Sequence, residues 1–496
     1  MTEPMLPEAF KQKMEGLLEA EYSAFLASYG EERHYGLRIN TLKLSVEQFR
    51  GLTRMELEPV PWAETGFYYR EGDGRPGKHP HYHAGLYYIQ EPSAMAPAKL
   101  LDVRPGERVL DLCAAPGGKT TQLAAKLQGA GLIVANDVHP DRVKALVKNI
   151  ELSGIRNAVV LNEDPAKLEG AFTGYFDKIL IDAPCSGEGM FRKEEDMAKV
   201  WRPDWPEKYA EMQRTLLRQA GRMLKPGGLM VYSTCTFSPE ENEAMIAAFL
   251  DEHPAFAVEP PRLRRLGARR PDWLGGRYAR GPKRPAPRAC GRTGSRARAT
   301  SRPRCAAVAS PRPWRRRGLR PATARAAREA GPPRSRRRRA RAGAGAAADP
   351  REALARFAAE QLAAAPYGAA ELECRGEHVY AAPAGLPPLD GIRVIRPGWY
   401  LGSVTKQRFT PSHALAMGLR AEEALRMVTF TADDPRAVRY LKGETLELAP
   451  GELRTAADDV PAKGYALVCI DGYPVGWAKV QDGMLKNEYP PGWRWT

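Results

Sequence analysis

The chain has 496 residues, 43% of them hydrophobic, which is enough for two or three domains with cores of their own. No apolar run approaches membrane-spanning length and no basic-then-apolar leader opens the chain, so a soluble cytoplasmic protein is expected. Seven cysteines without a CxxC pair argue against a disulfide framework and against a zinc knuckle, and the formal charge of +16 is concentrated in one stretch rather than spread over a binding face.

Residues 8–29 place Phe10, Met14, Leu17, Leu18, Tyr22, Phe25 and Leu26 at helical spacing, which predicts an amphipathic helix whose stripe packs within its own N-terminal unit, residues 1–100. A short strand is expected at 36–42. From residue 101 the texture alternates. Strands are expected at 108–112, 132–137, 158–161, 178–182 and 229–233, and helices at 119–127, 142–153, 209–224 and 240–250. Lys225-Pro226-Gly227-Gly228 reads as a helix stop and turn. Such alternation predicts an α/β unit over 101–261, a mostly parallel sheet wrapped by helices, with ligands at the carboxyl ends of the strands.

Residues 262–348 contain no Ile, Phe, Met, Asn, Gln or His, and hold 27 Arg and 1 Lys against 1 Asp and 1 Glu. The rest of the chain is therefore net acidic, and overall basicity is no argument for nucleic-acid binding. This stretch is expected to be disordered. Residues 349–389 read as a connecting segment. Residues 390–496, rich in Gly, Val, Tyr and Trp, read as a small, mainly β domain.

The strongest local signal is the strand-to-helix loop Cys113, Ala114, Ala115, Pro116, Gly117, Gly118, Lys119. Small residues and glycines let the backbone approach a ligand at a helix N-terminus. A P-loop would need glycine where Cys113 stands, and a dinucleotide GxGxxG is absent. A nucleoside cofactor without a polyphosphate, S-adenosylmethionine, suits what remains. Asp137, ending the next strand, is placed for ribose hydroxyls. Asp164 follows the third strand and reads equally as an adenine-side contact and as the N-cap before Pro165.

Two cysteines sit at carboxyl ends of expected strands, in Asp182-Ala183-Pro184-Cys185 and Ser233-Thr234-Cys235. A lone cysteine is usually a small core residue; two at ligand-facing ends beside an acid are better read as chemistry. Carbon 5 of cytosine is a poor nucleophile until a thiolate adds at C6. One cysteine can attack, a second can help release, Asp182 can bond the N3/N4 edge, and Lys119 can orient the base or an acid. The target base must leave any stack. No metal is called for.

At these residues the chain resembles the NOL1/NOP2/Sun family of RNA cytosine-C5 methyltransferases. The motifs 113–120, 182–189 and 233–243 carry the likeness. The resemblance implies a Rossmann-like methyltransferase core, Cys235 as nucleophile, Cys185 as the residue that assists release, and cofactor contacts at Cys113–Lys119, Asp137, Asp164 and Asp182. Residues 36–43 and 90–94 resemble an RNA-handling segment. Residues 396–402, 409–414 and 485–490 resemble the RsmF-type bacterial subgroup, which implies a PUA-like C-terminal domain and small-subunit ribosomal RNA as partner. Transfer RNA as substrate, and an RNA-binding protein crippled in catalysis by the odd stretch, are the alternatives. DNA cytosine methylation would instead put the nucleophile in the Pro-Cys motif. The departure from the family is 262–348, where the subgroup would carry its last sheet strands. Residues 288–303 can be encoded so that a shifted frame yields Pro-His-Arg and then Gly-Glu-Gly-His-Phe, the subgroup's segment. Compensating frameshifts near 277 and 349 are the expectation, and sequencing the gene decides it.

Overall fold

A computed structural model describes residues 6–31, 33–70, 75–259, 349–368 and 370–496, together with the strand Arg304–Ala309. The expected N-terminal helix runs only over Glu8–Leu18. It breaks at Glu19 (φ 48°), and Tyr22–Ala27 resumes after a single turn. A four-stranded antiparallel sheet follows, built from β1 (Tyr35–Ile39), β2 (Glu58–Pro59), β3 (Gly66–Tyr69) and β4 (Tyr87–Ile89) in the order β2-β3-β1-β4.

The helical stripe does not pack within residues 1–100. Phe10 and Phe25 meet Phe191, Trp201 and Phe237, all from the 101–261 unit. The reason lies in what the sheet buries. Leu37, Ile39, Phe67 and Tyr87 share a cluster with Val428, Phe430 and Tyr440 from near the C-terminus. The sheet's apolar face is thereby taken, and the stripe finds its cover on the central unit.

The central sheet contains β5 (Arg108–Asp111), β6 (Leu132–Asn136), β7 (Ala158–Leu161), β8 (Phe176–Asp182), β9 (Leu224–Thr234), β10 (Ala257–Val258) and β11 (Arg304–Ala309). Strands β7, β6, β5, β8 and β9 are neighbours in parallel, and β11 and β10 complete that side antiparallel. The strands are apolar on both faces, as covered parallel sheets require. Leu110, Val134 and Ile179 lie in one core, and Val109, Ile133 and Leu180 in the other. The expected turn at 225–228 is instead part of β9. The register against β8 slips between Phe176 and Lys178, and Gly227 takes φ 81°. This is a bulge in a strand that begins five residues earlier than expected.

The arginine-rich stretch was expected to supply no strand. Over six residues that is corrected. Strand β11 pairs with β9 from Arg304 opposite Thr234 to Ala309 opposite Leu229, and lies between β9 and β10. A β9 with no neighbour on that side would leave a row of unpaired backbone groups at the sheet's edge. The frameshift reading near 277 and 349 lies outside the described residues.

After the helix Pro350–Gln361 come β12 (Glu371–Arg375), β13 (His378–Ala382), β14 (Val394–Arg396), β15 (Trp399–Thr405) and β16 (Arg408–Pro411). Strands β12-β13-β15-β16 form one antiparallel sheet, so the boundary expected at 390 falls inside a folded unit. Gly398 makes the β13–β15 approach possible, since a Cβ there would lie 2.2 Å from the Ala381 carbonyl oxygen. Strand β14 leaves this sheet and extends the central one, antiparallel to β7. A second C-terminal sheet holds β17 (Arg426–Phe430), β18 (Leu446–Glu447), β19 (Leu453–Thr455), β20 (Gly464–Ile470), β21 (Tyr473–Gln481) and β22 (Met484–Asn487) in the order β18-β22-β21-β20-β17-β19. Arg156 ties the central unit to the C-terminal part. It bonds the Gly418 carbonyl (2.8 Å), pairs with Glu423 (2.5 Å) and lies 4.7 Å over the Trp399 ring. No helix among the described residues is long and apolar enough to cross a membrane.

Candidate active site

The loop between β5 and the helix Gly118–Leu127 is held from several sides. The Ala114 N–H donates to the Asn136 carbonyl (2.8 Å), and the Asn149 amide donates to the Pro116 carbonyl (2.7 Å). Gly117 adopts φ 110°, and a Cβ there would lie 3.2 Å from Leu146. Glycine is needed both for that backbone and for that approach. Asp137 is buried; its carboxylate accepts the Ala115 N–H (3.2 Å) and the His139 N–H (3.0 Å), and lies 3.4 Å from Arg142. The structure therefore gives Asp137 a loop-fastening role in addition to its expected place at the end of β6. Asp164 does N-cap the helix Pro165–Ala171, accepting from the Ala166 N–H at 2.8 Å.

Asp164 also lines a cavity of about 550 Å³ at the ends of β6 and β7, with Val138, Asn162, Lys167 and Ile392. Val138, directly after Asp137, is 48% exposed. An apolar side chain standing open beside two acids suits the flat face of a purine. Ile392 arrives from the segment leading into β14. That segment is pinned by Asn162 N–H to the Arg393 carbonyl (3.0 Å) and Arg393 N–H to Glu163 (3.2 Å). Nothing in the sequence pattern pointed to Ile392, because the contact depends on a chain return of some 230 residues.

Asp111 was likewise missed. It is fully buried at the end of β5; one carboxylate oxygen accepts the Thr120 hydroxyl (2.7 Å) and the other has no partner among the described residues. Burial pushes its carboxyl up to about 7, with Thr120 opposing and Asp182 adding to the rise. A carboxylate kept at such cost suits a cationic ligand, and S-adenosylmethionine carries a sulfonium and an ammonium. The donor set fits that cofactor: loop 113–118, with Asp137, Asp164, Val138 and Asp111 around it. The folded-state value lies above the unfolded one, so this group's favourable contribution is complete below the ordinary carboxylate range and lost as pH rises through about 7. Asp111→Asn should remove a penalty of roughly 4 kcal/mol at alkaline pH. Leaving a buried amide N–H unpaired should return ~1–3 kcal/mol of that. Urea unfolding is expected to show the variant more stable than wild type at alkaline pH, and the advantage gone in acid below the normal carboxylate range.

The two cysteines meet. Cys185 follows β8 and Cys235 follows β9, and because these strands are parallel neighbours the sulfurs lie 3.1 Å apart. Hydrogen bonding to Cys235, then burial, raises the Cys185 thiol well above its usual value. Cys185 therefore keeps its proton, and its S–H is available to a thiolate on Cys235. Asp182, the last residue of β8, accepts from Lys119 (2.6 Å) and from the Ser233 hydroxyl (2.7 Å). Burial acts to lower the Lys119 ammonium, but Asp182, Asp111 and Cys235 together hold it above its ordinary value, so it stays charged beside the pair. Cys113 differs: burial and the surrounding acids raise its thiol, which makes it loop structure rather than a nucleophile.

The segments expected to handle RNA are joined to this loop. Arg38, buried in β1, donates to Gln90 (2.9 Å), to the Gly118 carbonyl (3.0 Å) and to the Thr121 hydroxyl (2.7 Å). It clamps the first turn of the cofactor helix.

The family described as 16S rRNA methyltransferase RsmB/F matches residues 98–268. The N-terminal domain of 16S rRNA methyltransferase RsmF matches 6–92, the RsmF first C-terminal domain 356–419, and the RsmF PUA domain 428–495. Ribosomal RNA small subunit methyltransferase F of Vibrio campbellii is 43% identical over 272 residues, 53% of this chain and 56% of that protein. Its namesake in Klebsiella pneumoniae is 43% identical over 263 residues, 51% and 55% respectively. The chain thus spans about half the length of the curated relatives it matches. Among solved structures, a methyltransferase homolog protein from Pyrococcus horikoshii superposes with a TM-score of 0.51 at 29% identity, covering 62% of this chain and 100% of that one.

Proposed function

The chain belongs to the RsmB/F family of 16S ribosomal RNA methyltransferases, and from that premise we propose that it methylates carbon 5 of cytosine in small-subunit ribosomal RNA through a transient Cys235–C6 bond. The observation that carries this reading is the cysteine pair, 3.1 Å apart at the ends of adjacent strands, with Asp182 and Lys119 alongside. Cys235 adds its sulfur to C6, and the displaced electron pair makes C5 a nucleophile. Asp182 bonds the N3/N4 edge and supports the proton gained there. S-adenosylmethionine, when bound, supplies the methyl group as an electrophile. Loss of the C5 proton to solvent water restores the double bond and expels the Cys235 sulfur as a thiolate, which the Cys185 S–H stabilises as it leaves, and the proton held at the N3/N4 edge then returns to solvent. Cys113–Gly118, Asp137, Asp164, Val138 and Asp111 would hold the cofactor. The PUA match at 428–495 supports RNA as the partner.

The test is transfer of labelled methyl from S-adenosylmethionine to unmodified 16S RNA and to small subunits, followed by bisulfite mapping. Protection of one or a few cytosines is expected; label in another base, or in none, would overturn the proposal. Ile392 offers a second check on where the cofactor sits. Ile392→Asp is expected to weaken S-adenosylhomocysteine binding about 10-fold in calorimetry, since it places an unpaired charge against a largely apolar ligand face. Unchanged affinity would remove the cavity beside Val138 from the cofactor site.

A further inference from the structure

Beneath the cysteines lies a buried polar network that the reaction itself does not use. Glu188 is fully buried, and four donors converge on its carboxylate: Lys13 (2.9 Å), the Thr236 hydroxyl (3.0 Å), the Ser238 hydroxyl (3.0 Å) and the Phe237 N–H (3.3 Å). Three of these belong to the three residues after Cys235. The Gly189 N–H, next to Glu188, also holds the Cys235 carbonyl at 2.8 Å. The arrangement has a mirror image. Glu241, from the Cys235 side, is buried and accepts both the N–H (2.9 Å) and the hydroxyl of Ser186, the residue after Cys185, with Gln213 (2.9 Å) as third donor. Ser186 and Thr236 bond each other at 2.8 Å. Each cysteine's loop is thus gripped by an acid from the other's.

We propose that Glu188 and Glu241 are positioning residues that cross-brace the two cysteine loops, and that Lys13, reaching in from the N-terminal helix, completes the brace. The inference rests on the reading of Cys235 as nucleophile. Its physical basis is that a buried carboxylate with several charge-assisted hydrogen bonds fixes its donors in place far better than a surface pair does. The fully buried Glu188 also needs a cation, or it becomes an uncompensated charge. Lys13 is the cation that approaches it, and Phe10, one turn earlier on the same helix, seats that helix against Phe191 and Trp201. The N-terminal helix therefore acts on the chemistry as well as on the fold.

The experiment compares Glu188→Gln, Lys13→Met and Lys13→Arg with wild type. Site-resolved iodoacetamide labelling reports the reactivity of Cys235, and calorimetry reports S-adenosylhomocysteine affinity. Loosening the brace takes the Cys185 S–H away from Cys235, so labelling of Cys235 at neutral pH is expected to slow about 3-fold or more. Cofactor affinity should hold within a factor of about two, because the cofactor loop lies outside the network. Methyl transfer should fall by about 10-fold or more in kcat. Lys13→Arg should recover both reactivity and turnover in large part. If Glu188→Gln does not fold, Lys13→Met decides alone, since Lys13 is partly exposed on an outer helix. Wild-type labelling rates in both variants, or in Lys13→Met alone, would overturn the proposal. So would lost methyl transfer with unchanged Cys235 reactivity. Labelling needs no RNA, so a wrong substrate assignment would leave this result standing.

Discussion

Cys235→Ala is expected to reduce methyl transfer by on the order of 10³-fold or more, the scale on which covalent catalysts lose rate when the nucleophile is removed. Cys185→Ala should behave differently. It removes the S–H that lies 3.1 Å from the Cys235 sulfur and leaves the attacking group in place. Attack and methyl transfer can proceed, but release slows, and a protein–RNA complex stable to denaturing electrophoresis should accumulate. The asymmetry follows from the pair's electrostatics. Cys185 holds its proton because Cys235 is hydrogen-bonded to it and because it is buried, which suits it to donate rather than to attack. Measuring adduct and turnover for both variants on the same RNA gives a two-by-two outcome. Adduct accumulation in Cys235→Ala, with none in Cys185→Ala, would reverse the roles and make the Pro-Cys sulfur the nucleophile.

How far the sequence reached depended on the range of the interactions involved. The loop 113–119, both cysteines and Asp182 were legible because each lies at the end of a strand whose position local patterning predicts. Parallel neighbours then bring those ends together: β8 and β9 need only be adjacent for Cys185 and Cys235 to touch. Pro165 opens its helix behind the N-cap Asp164 as expected, whereas the helices expected from 142 and 209 begin earlier, at Pro140 and Trp205. What stayed hidden depends on which units pack together. The stripe of Phe10 and Phe25 was visible as a helix face, but its partners, Phe191 and Trp201, are fixed by the packing of the N-terminal sheet against residues beyond 420. Strand β14 is three residues long and unremarkable in composition, and it extends a sheet whose first strand begins almost 290 residues earlier. Glu188 and Glu241 stood inside the motifs that carry the family likeness, yet nothing in the local pattern singled either out. The available signal was their company of Ser, Thr and Gly, residues that supply hydrogen-bond donors around a buried acid. The basic stretch misled in the opposite direction: its composition resembles a disordered tail, while the edge of β9 is paired by six of its residues.

Asp182→Asn tests how much of the remaining chemistry and stability one carboxylate supports. In the wild type it takes Lys119 at 2.6 Å and Ser233 at 2.7 Å, with the lysine side chain 15% exposed and the acid 33%. Asparagine keeps the shape and can still accept one hydrogen bond, but it leaves a mostly buried ammonium without its counter-charge. Removing one partner of a buried pair commonly costs about 3–5 kcal/mol; exposure of the acid lowers the expectation here to roughly 2–3 kcal/mol. The pH window follows from Lys119, whose folded-state value is raised above the unfolded 10.5. Its contribution is present below that value and lost as pH rises past it, so the stability gap between variant and wild type should be constant through neutral pH and close in strong alkali. Catalysis should suffer more than stability, because an amide cannot take on the negative charge that supports a proton at the cytosine N3/N4 edge. A fall of about 10²–10⁴ in single-turnover rate is expected. Lys119→Met combined with Asp182→Asn should restore much of the stability, since no buried charge is left unpaired, while leaving the rate low. Recovery of rate along with stability would assign Asp182 to holding Lys119 alone, and the proton at the base would then need another partner.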